Sequence, residues 1–225
     1  MKRKGGDETR RAALNLLESR LRLFPRPGRR ERLTVPSLLE CERMIQDFHA
    51  SPDADGLDVE PDALGFLAWN LVEFKIRHGE GDPLRWSPSL VEVLMRDFFP
   101  RKVTADIATA DHLPTVLSGW IRWAGRRRGL EPQLVRATLA AVDGARRAFQ
   151  RACRDRSRFM PAKAVATAMS EDGVDITDQA AVDAWVETYR SRSPRERTAL
   201  LGQRLDLVGA VVDDGRLRVA VARPA

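Results

Sequence analysis

Asp62-Ala63-Leu64-Gly65-Phe66-Leu67-Ala68-Trp69-Asn70-Leu71-Val72-Glu73-Phe74-Lys75-Ile76-Arg77 is the most apolar run of the chain. Leu64, Phe66, Leu67, Trp69, Leu71, Val72, Phe74 and Ile76 recur with a helical period and nearly encircle the helix they predict. A helix apolar on most sides is central in its domain, with other helices around it. The flanks agree. Ser51-Pro52-Asp53-Ala54-Asp55-Gly56 before it reads as an acidic turn, and Gly79-Glu80-Gly81-Asp82-Pro83 after it as another.

Working outward, helices are expected at Pro36–His49, from Ser87-Pro88 to Pro100, at Leu113–Arg128, and from Glu131-Pro132 to a C-terminus near Arg158. Further helices are expected at Phe159–Ser170, after a Thr177 cap, and after the capping box Ser193-Pro194-Arg195-Glu196. The tail changes period. Leu205, Leu207, Val211 and Val212, then Asp213-Asp214-Gly215, then Leu217, Val219 and Val221 alternate around an Asp-Gly turn and predict a β-hairpin. At the other end, Thr9–Phe24 has a helical pattern, closed by Pro25-Arg26-Pro27-Gly28-Arg29-Arg30. The expected architecture is mostly α, bundle-like: residues 1–30 a helical arm and linker, 31–202 a helical domain, 203–225 a hairpin and tail.

At 225 residues with 43% hydrophobic content, the chain can bury a real core, which excludes intrinsic disorder. Two cysteines, Cys41 and Cys153, exclude a disulfide scaffold. No apolar run approaches the roughly 20 residues of a membrane span. Met1-Lys2-Arg3-Lys4 is basic without the apolar core of a signal peptide, so a cytoplasmic location is expected.

Net charge is +6, from 38 Lys+Arg against 32 Asp+Glu, and its distribution matters more than its size. Residues 1–50 carry +5, 51–100 carry −6, 101–160 carry +8 and 161–225 carry −1. Two basic blocks therefore flank an acidic one. On a helical wheel centred on Val135, Leu139, Val142, Phe149 and Cys153 form a core stripe. Arg136, Arg147, Arg151, Arg154 and Arg158 fall together at about 100–160° from it. Like charges at i,i+4 repel, so such a row favours anions: phosphates of a partner or carboxylates of the acidic block, with Asp143 beside the stripe placed to neutralise one member. Arg126, Arg127 and Arg128 form a second cluster, which also suits the last turn of a helix closed by Gly129. Trp120 and Trp123, upstream, are expected in the core. Trp86, just before the Ser87 cap, is expected to be buried against the first turn of its helix, near Val91.

No catalytic constellation emerges. His49, His78 and His112 lie in different segments, and neither cysteine stands at ligand spacing from a histidine. Nucleophile-elbow, phosphate-loop and dinucleotide motifs are absent. His78-Gly79-Glu80-Gly81-Asp82 is better read as a helix end, with Gly79 beyond its last turn, than as a site. The expectation is a non-enzyme without cofactor or metal. It contacts nucleic acid, DNA or RNA, through Arg126, Arg127, Arg128, Arg136, Arg147, Arg151, Arg154 and Arg158. The alternative is a helical adaptor that binds a protein partner through its arm or the open edge of its hairpin.

The segments Gly81–Trp86, Asp97–Lys102, Ser157–Lys163 and Asp172–Asp178 resemble those of an uncharacterised family of helical proteins from high-GC bacteria. The resemblance covers roughly residues 60–190. It implies one continuous helical unit and assigns no activity.

Overall fold

The structure, a computed structural model, describes residues 36–213 and 216–222. The expected arm and linker at 1–30 and the Asp214-Gly215 turn lie outside the described residues. The rest is mostly helical with a two-stranded antiparallel sheet at its end. The chain divides into two compact units: in the described part, residues 36–100 with 105–154, and residues 101–104 with 155–222.

The first unit begins with α1 (Leu38–His49), α2 (Pro52–Asp55) and α3 (Pro61–His78). Ser37 and Glu40 close a reciprocal capping box on α1. Pro52 and Pro61 open the next two helices, where their missing N–H costs nothing. The expected acidic turn at 51–56 is thus a helical turn. α4 (Pro88–Val93) starts from the Ser87 cap, runs into a π-turn (Leu94–Phe98), and is followed by α5 (Phe99–Lys102). Then come α6 (Ile107–Asp111), α7 (Leu113–Arg128) and α8 (Pro132–Arg154). α7 ends on Gly129 at φ 60°, the left-handed cap its sequence asks for.

α3 packs against α1 and α7, and α7 against α2 and α8. Leu67, Ala68, Leu71 and Phe74 are fully buried, while Phe66 remains partly exposed, so α3 is covered on most but not all sides. Phe48, Trp120 and Trp123 form an aromatic cluster with ring centroids 4.9–5.7 Å apart. Trp86 is buried as expected, but its ring stacks on Phe74 of α3. The indoles of Trp86 and Trp120 both donate to the carbonyl of Pro83, at 2.9 Å each, which satisfies two buried donors with one turn.

The second unit contains a 3-10 turn (Arg156–Arg158), α9 (Pro161–Glu171), α10 (Gln179–Ser191), α11 (Pro194–Leu201), β1 (Leu207–Asp213) and β2 (Arg216–Val221). Its core gathers Val165, Met169, Val182, Trp185, Val186, Tyr189, Leu201 and Leu207. Trp185 stacks on Tyr189, and the Tyr189 hydroxyl donates to Leu205 O at 2.8 Å. Ser193 and Glu196 make the expected capping box on α11. α10 is capped by Asp178, not Thr177, because Thr177 is held in a turn by the Asp175 carboxylate. α8 stops four residues early for a similar reason. The Asp155 carboxylate accepts from the N–H and the hydroxyl of Ser157 and opens the 3-10 turn instead.

Candidate nucleic-acid interface

The eight arginines singled out by the sequence separate into three groups. Arg126, Arg127 and Arg128 occupy the last turn of α7, and each has a carboxylate. Arg126 grips Asp53 with both guanidinium nitrogens, and Arg122 lies 3.7 Å from the same carboxylate. The Asp53 side chain is only 7% exposed, so this pair joins α2 to α7 from a nearly dry position. Gly119 permits that approach, since a Cβ there would lie 3.0 Å from the Asp53 carbonyl oxygen. Arg127 reaches Asp47 at 3.0 Å and covers the Trp123 ring at 5.5 Å. Arg128 reaches Asp82 at 2.5 Å. The cluster fastens α1, α2 and the turn after α3 onto the end of α7.

Arg154, at the end of α8, bonds Asp111 of α6 through both nitrogens at 3.0 and 2.6 Å and donates to Gln150 O at 2.9 Å. Donating to the Asp111 carboxylate favours the charged form of Arg154 still further. Arg158 lies beyond the end of α8, in the 3-10 turn of the second unit. It therefore leaves the stripe on which an unbroken helix would have put it.

Arg136, Arg147 and Arg151 remain. All three are exposed on α8, and no carboxylate among the described residues pairs with them. At 1.5 Å per residue, Arg147 and Arg151 are about 6 Å apart along the axis and Arg136 about 16 Å further on. Exposed Ala137, Ala140 and Gly144 share this face, so nothing bulky stands between the guanidiniums and an approaching surface. Asp143 is the one acidic residue of the helix, exposed at its edge. The opposite face holds Val142, Ala145, Phe149 and Cys153 in the core, with Phe149 5.6 Å from Phe99. The helix is held by its apolar side, while Arg136, Arg147 and Arg151 on its cationic side are exposed among the described residues.

The tryptophans are not available to bases: Trp120 and Trp123 are buried. Elsewhere burial shifts Cys41, His49 and Lys75 from their ordinary values. The Cys41 thiol is pushed up to about 11 by burial and by Glu40 and Glu42. Burial lowers the pKa of His49. Lys75 of α3, which the sequence analysis does not single out, is fully buried, and its Nζ has no hydrogen-bond partner among the described residues. Burial lowers its pKa, with Glu80 and Asp82 opposing, and the Trp86 ring lies 5.5 Å from Nζ. Gly79 and Gly81 donate to Lys75 O at 3.1 Å and fold the turn over it. Gly79 is extended (φ −106°, ψ −155°), not left-handed, and a Cβ there would come within 2.9 Å of Lys75 O.

Among the described residues, no group of three His, Cys, Asp or Glu side chains is placed to hold a metal, and no helix is long and apolar enough to cross a membrane. A cavity of about 460 Å³ lies between Pro36, Glu40, Met44, Leu84 and Arg127. Comparison with family models, curated proteins and solved structures finds no match for this chain.

Proposed function

We propose that the protein is a non-enzymatic nucleic-acid-binding protein that meets phosphates along the outer face of α8. The observation that carries this reading is the exposed row Arg136, Arg147 and Arg151, without a carboxylate partner among the described residues while the neighbouring arginines of α7 and Arg154 all have one. Arg147 and Arg151, four residues apart, repel one another unless an anion meets them. The row spans about 22 Å of helix axis, the rise of roughly six base pairs of duplex. Its small neighbours allow close approach. Contacts of this kind fix position and carry no sequence information, so binding should be tolerant of sequence.

The test is direct titration of the purified full chain with a fluorescent 20-base-pair DNA and a 20-nucleotide RNA over a range of salt. Three phosphate contacts give a log–log salt slope of about −2.7 on duplex DNA and about −2 on a single strand. Binding with such a slope supports the reading. Absence of binding to both at low salt contradicts it.

A further inference from the structure

The two strands of the C-terminal hairpin have outer edges in opposite conditions. On β1, Ala210 O accepts from Gln179 Nε2 at 3.2 Å and Val212 N–H donates to Gln179 Oε1 at 2.6 Å. The side-chain amide occupies the β1 edge as one residue of a neighbouring parallel strand would. Asp183 Oδ1 accepts from the same Nε2 at 2.7 Å and fixes which end of the amide faces which group. The β1 edge is closed.

On β2 the groups alternate the other way. Since Ala210 and Val212 point outward, Val211 and Asp213 point inward, toward their partners Arg218 and Arg216. Ala222 N–H donates inward to Asp206 O at 2.8 Å. Leu217, Val219 and Val221 therefore direct their main-chain groups away from β1, and no described residue bonds to them there. The strand carries no proline, and its one bulge lies opposite, at Leu207/Gly209. An edge of this kind is a template for another strand.

We propose that the added strand is β2 of a second copy, antiparallel, with the two-fold axis at Val219. This register pairs all three outward residues: Val219 with Val219, and Leu217 with Val221 in both directions. On the solvent side each Arg218 stands opposite the other copy's Ala220. Moving the axis to Arg218 or to Leu217 carries Val221 past the end of the other copy's β2 and leaves its outward main-chain groups without a partner. The alternation of Arg216-Leu217-Arg218-Val219-Ala220-Val221 is thus self-complementary about its fourth residue. The partly exposed Val221 would be covered by the pairing. With the β1 edges closed by Gln179, addition stops at two copies and gives a closed four-stranded sheet, not a filament. Two six-residue strands bury less than the roughly 1,000 Å² of a stable interface, so the dimer is weak, with Kd about 10–100 μM.

Sedimentation equilibrium of the full chain from about 5 to 500 μM tests this. The expected mass rises from 25.3 kDa toward twice that value across the range. Val219→Pro removes the outward N–H that the pairing needs, a loss an edge strand tolerates, together with part of the packing of Val219 on the core, and should weaken the dimer at least tenfold with an unchanged helical circular dichroism signal. If that variant loses structure, Ala220→Arg carries the test: it lies on the exposed face, sets like charges opposite Arg218, and should weaken the dimer about tenfold. Register is read by mixing Arg218→Cys with Ala220→Cys protein, which should form a disulfide together and not separately. A chain that stays monomeric to 500 μM, a dimer indifferent to both variants, or crosslinking within Arg218→Cys alone would each overturn the proposal.

Discussion

The arginines at the end of α7 and those on the outer face of α8 are alike in sequence and opposite in circumstance. Arg126, Arg127 and Arg128 are consecutive and look like a nucleic-acid patch, yet each is matched by an aspartate. Arg136, Arg147 and Arg151 are scattered, and only a helical wheel brings them together, yet they are the ones without carboxylate partners among the described residues. The difference is one of neighbours. α7 is surrounded by α1, α2, α3 and α8, which bring Asp47, Asp53 and Asp82 within reach. The outer face of α8 has no such element beside it among the described residues. Density of charge along a sequence is therefore a poorer guide to an interface than what the fold sets opposite each charge.

If the α7 cluster is structural, breaking it should cost stability and leave binding alone. The largest effect is expected at Asp53. Asp53→Ala removes a nearly buried carboxylate that holds Arg126 and Arg122, and should lower unfolding free energy by about 2 kcal/mol in a urea titration. An unchanged midpoint would mean the cluster is ornamental and equally open to phosphate.

Lys75 adds a third circumstance, a buried amine whose Nζ has no hydrogen-bond partner among the described residues. Its folded pKa lies below its unfolded value, so the unfolded chain binds the extra proton between the two. The penalty is complete below the folded pKa and is relieved as pH rises toward the unfolded value near 10.5. Lys75→Met should raise stability by about 1 kcal/mol at pH 7 and abolish this alkaline gain. A loss of stability would show that Nζ has a partner after all. The smallest effect belongs to the α8 row: Arg136, Arg147 and Arg151 all changed to Ala should shift stability by less than about 0.5 kcal/mol, as surface residues do. A larger loss in thermal or urea unfolding would show that they hold the fold.

Much of this architecture is legible in the sequence because its signals are local. Ser37 with Glu40, Ser193 with Glu196, and Gly129 mark helix ends within four residues of themselves. The period-two tail marks the hairpin. Where two local signals compete, the sequence is ambiguous: Thr177 and Asp178 can both cap, and Asp175 decides by binding Thr177. The end of α8 turns on Asp155 in the same way, and with it the place of Arg158. The ion pairs were beyond reach for a different reason. Asp53 is 73 residues from Arg126, Asp82 is 46 from Arg128, and Asp111 is 43 from Arg154. Only the packing of helices decides such partners. The burial of Lys75 likewise depends on how the turn after α3 folds back, which no wheel of α3 alone contains.

We propose that the exposed face of α8, and not the clustered arginines of α7, meets nucleic acid. It is tested most directly by comparing two charge-reversed proteins on the same fluorescent duplex at low salt, Arg136, Arg147 and Arg151 all changed to Glu against Arg126, Arg127 and Arg128 all changed to Glu. The expected result is that the α8 variant keeps its helical circular dichroism spectrum and unfolding midpoint but loses binding, with any residual salt slope flattened by about 2–3 units. The α7 variant should instead lose stability first. An α8 variant that is folded and binds as tightly as the unaltered chain would contradict the account.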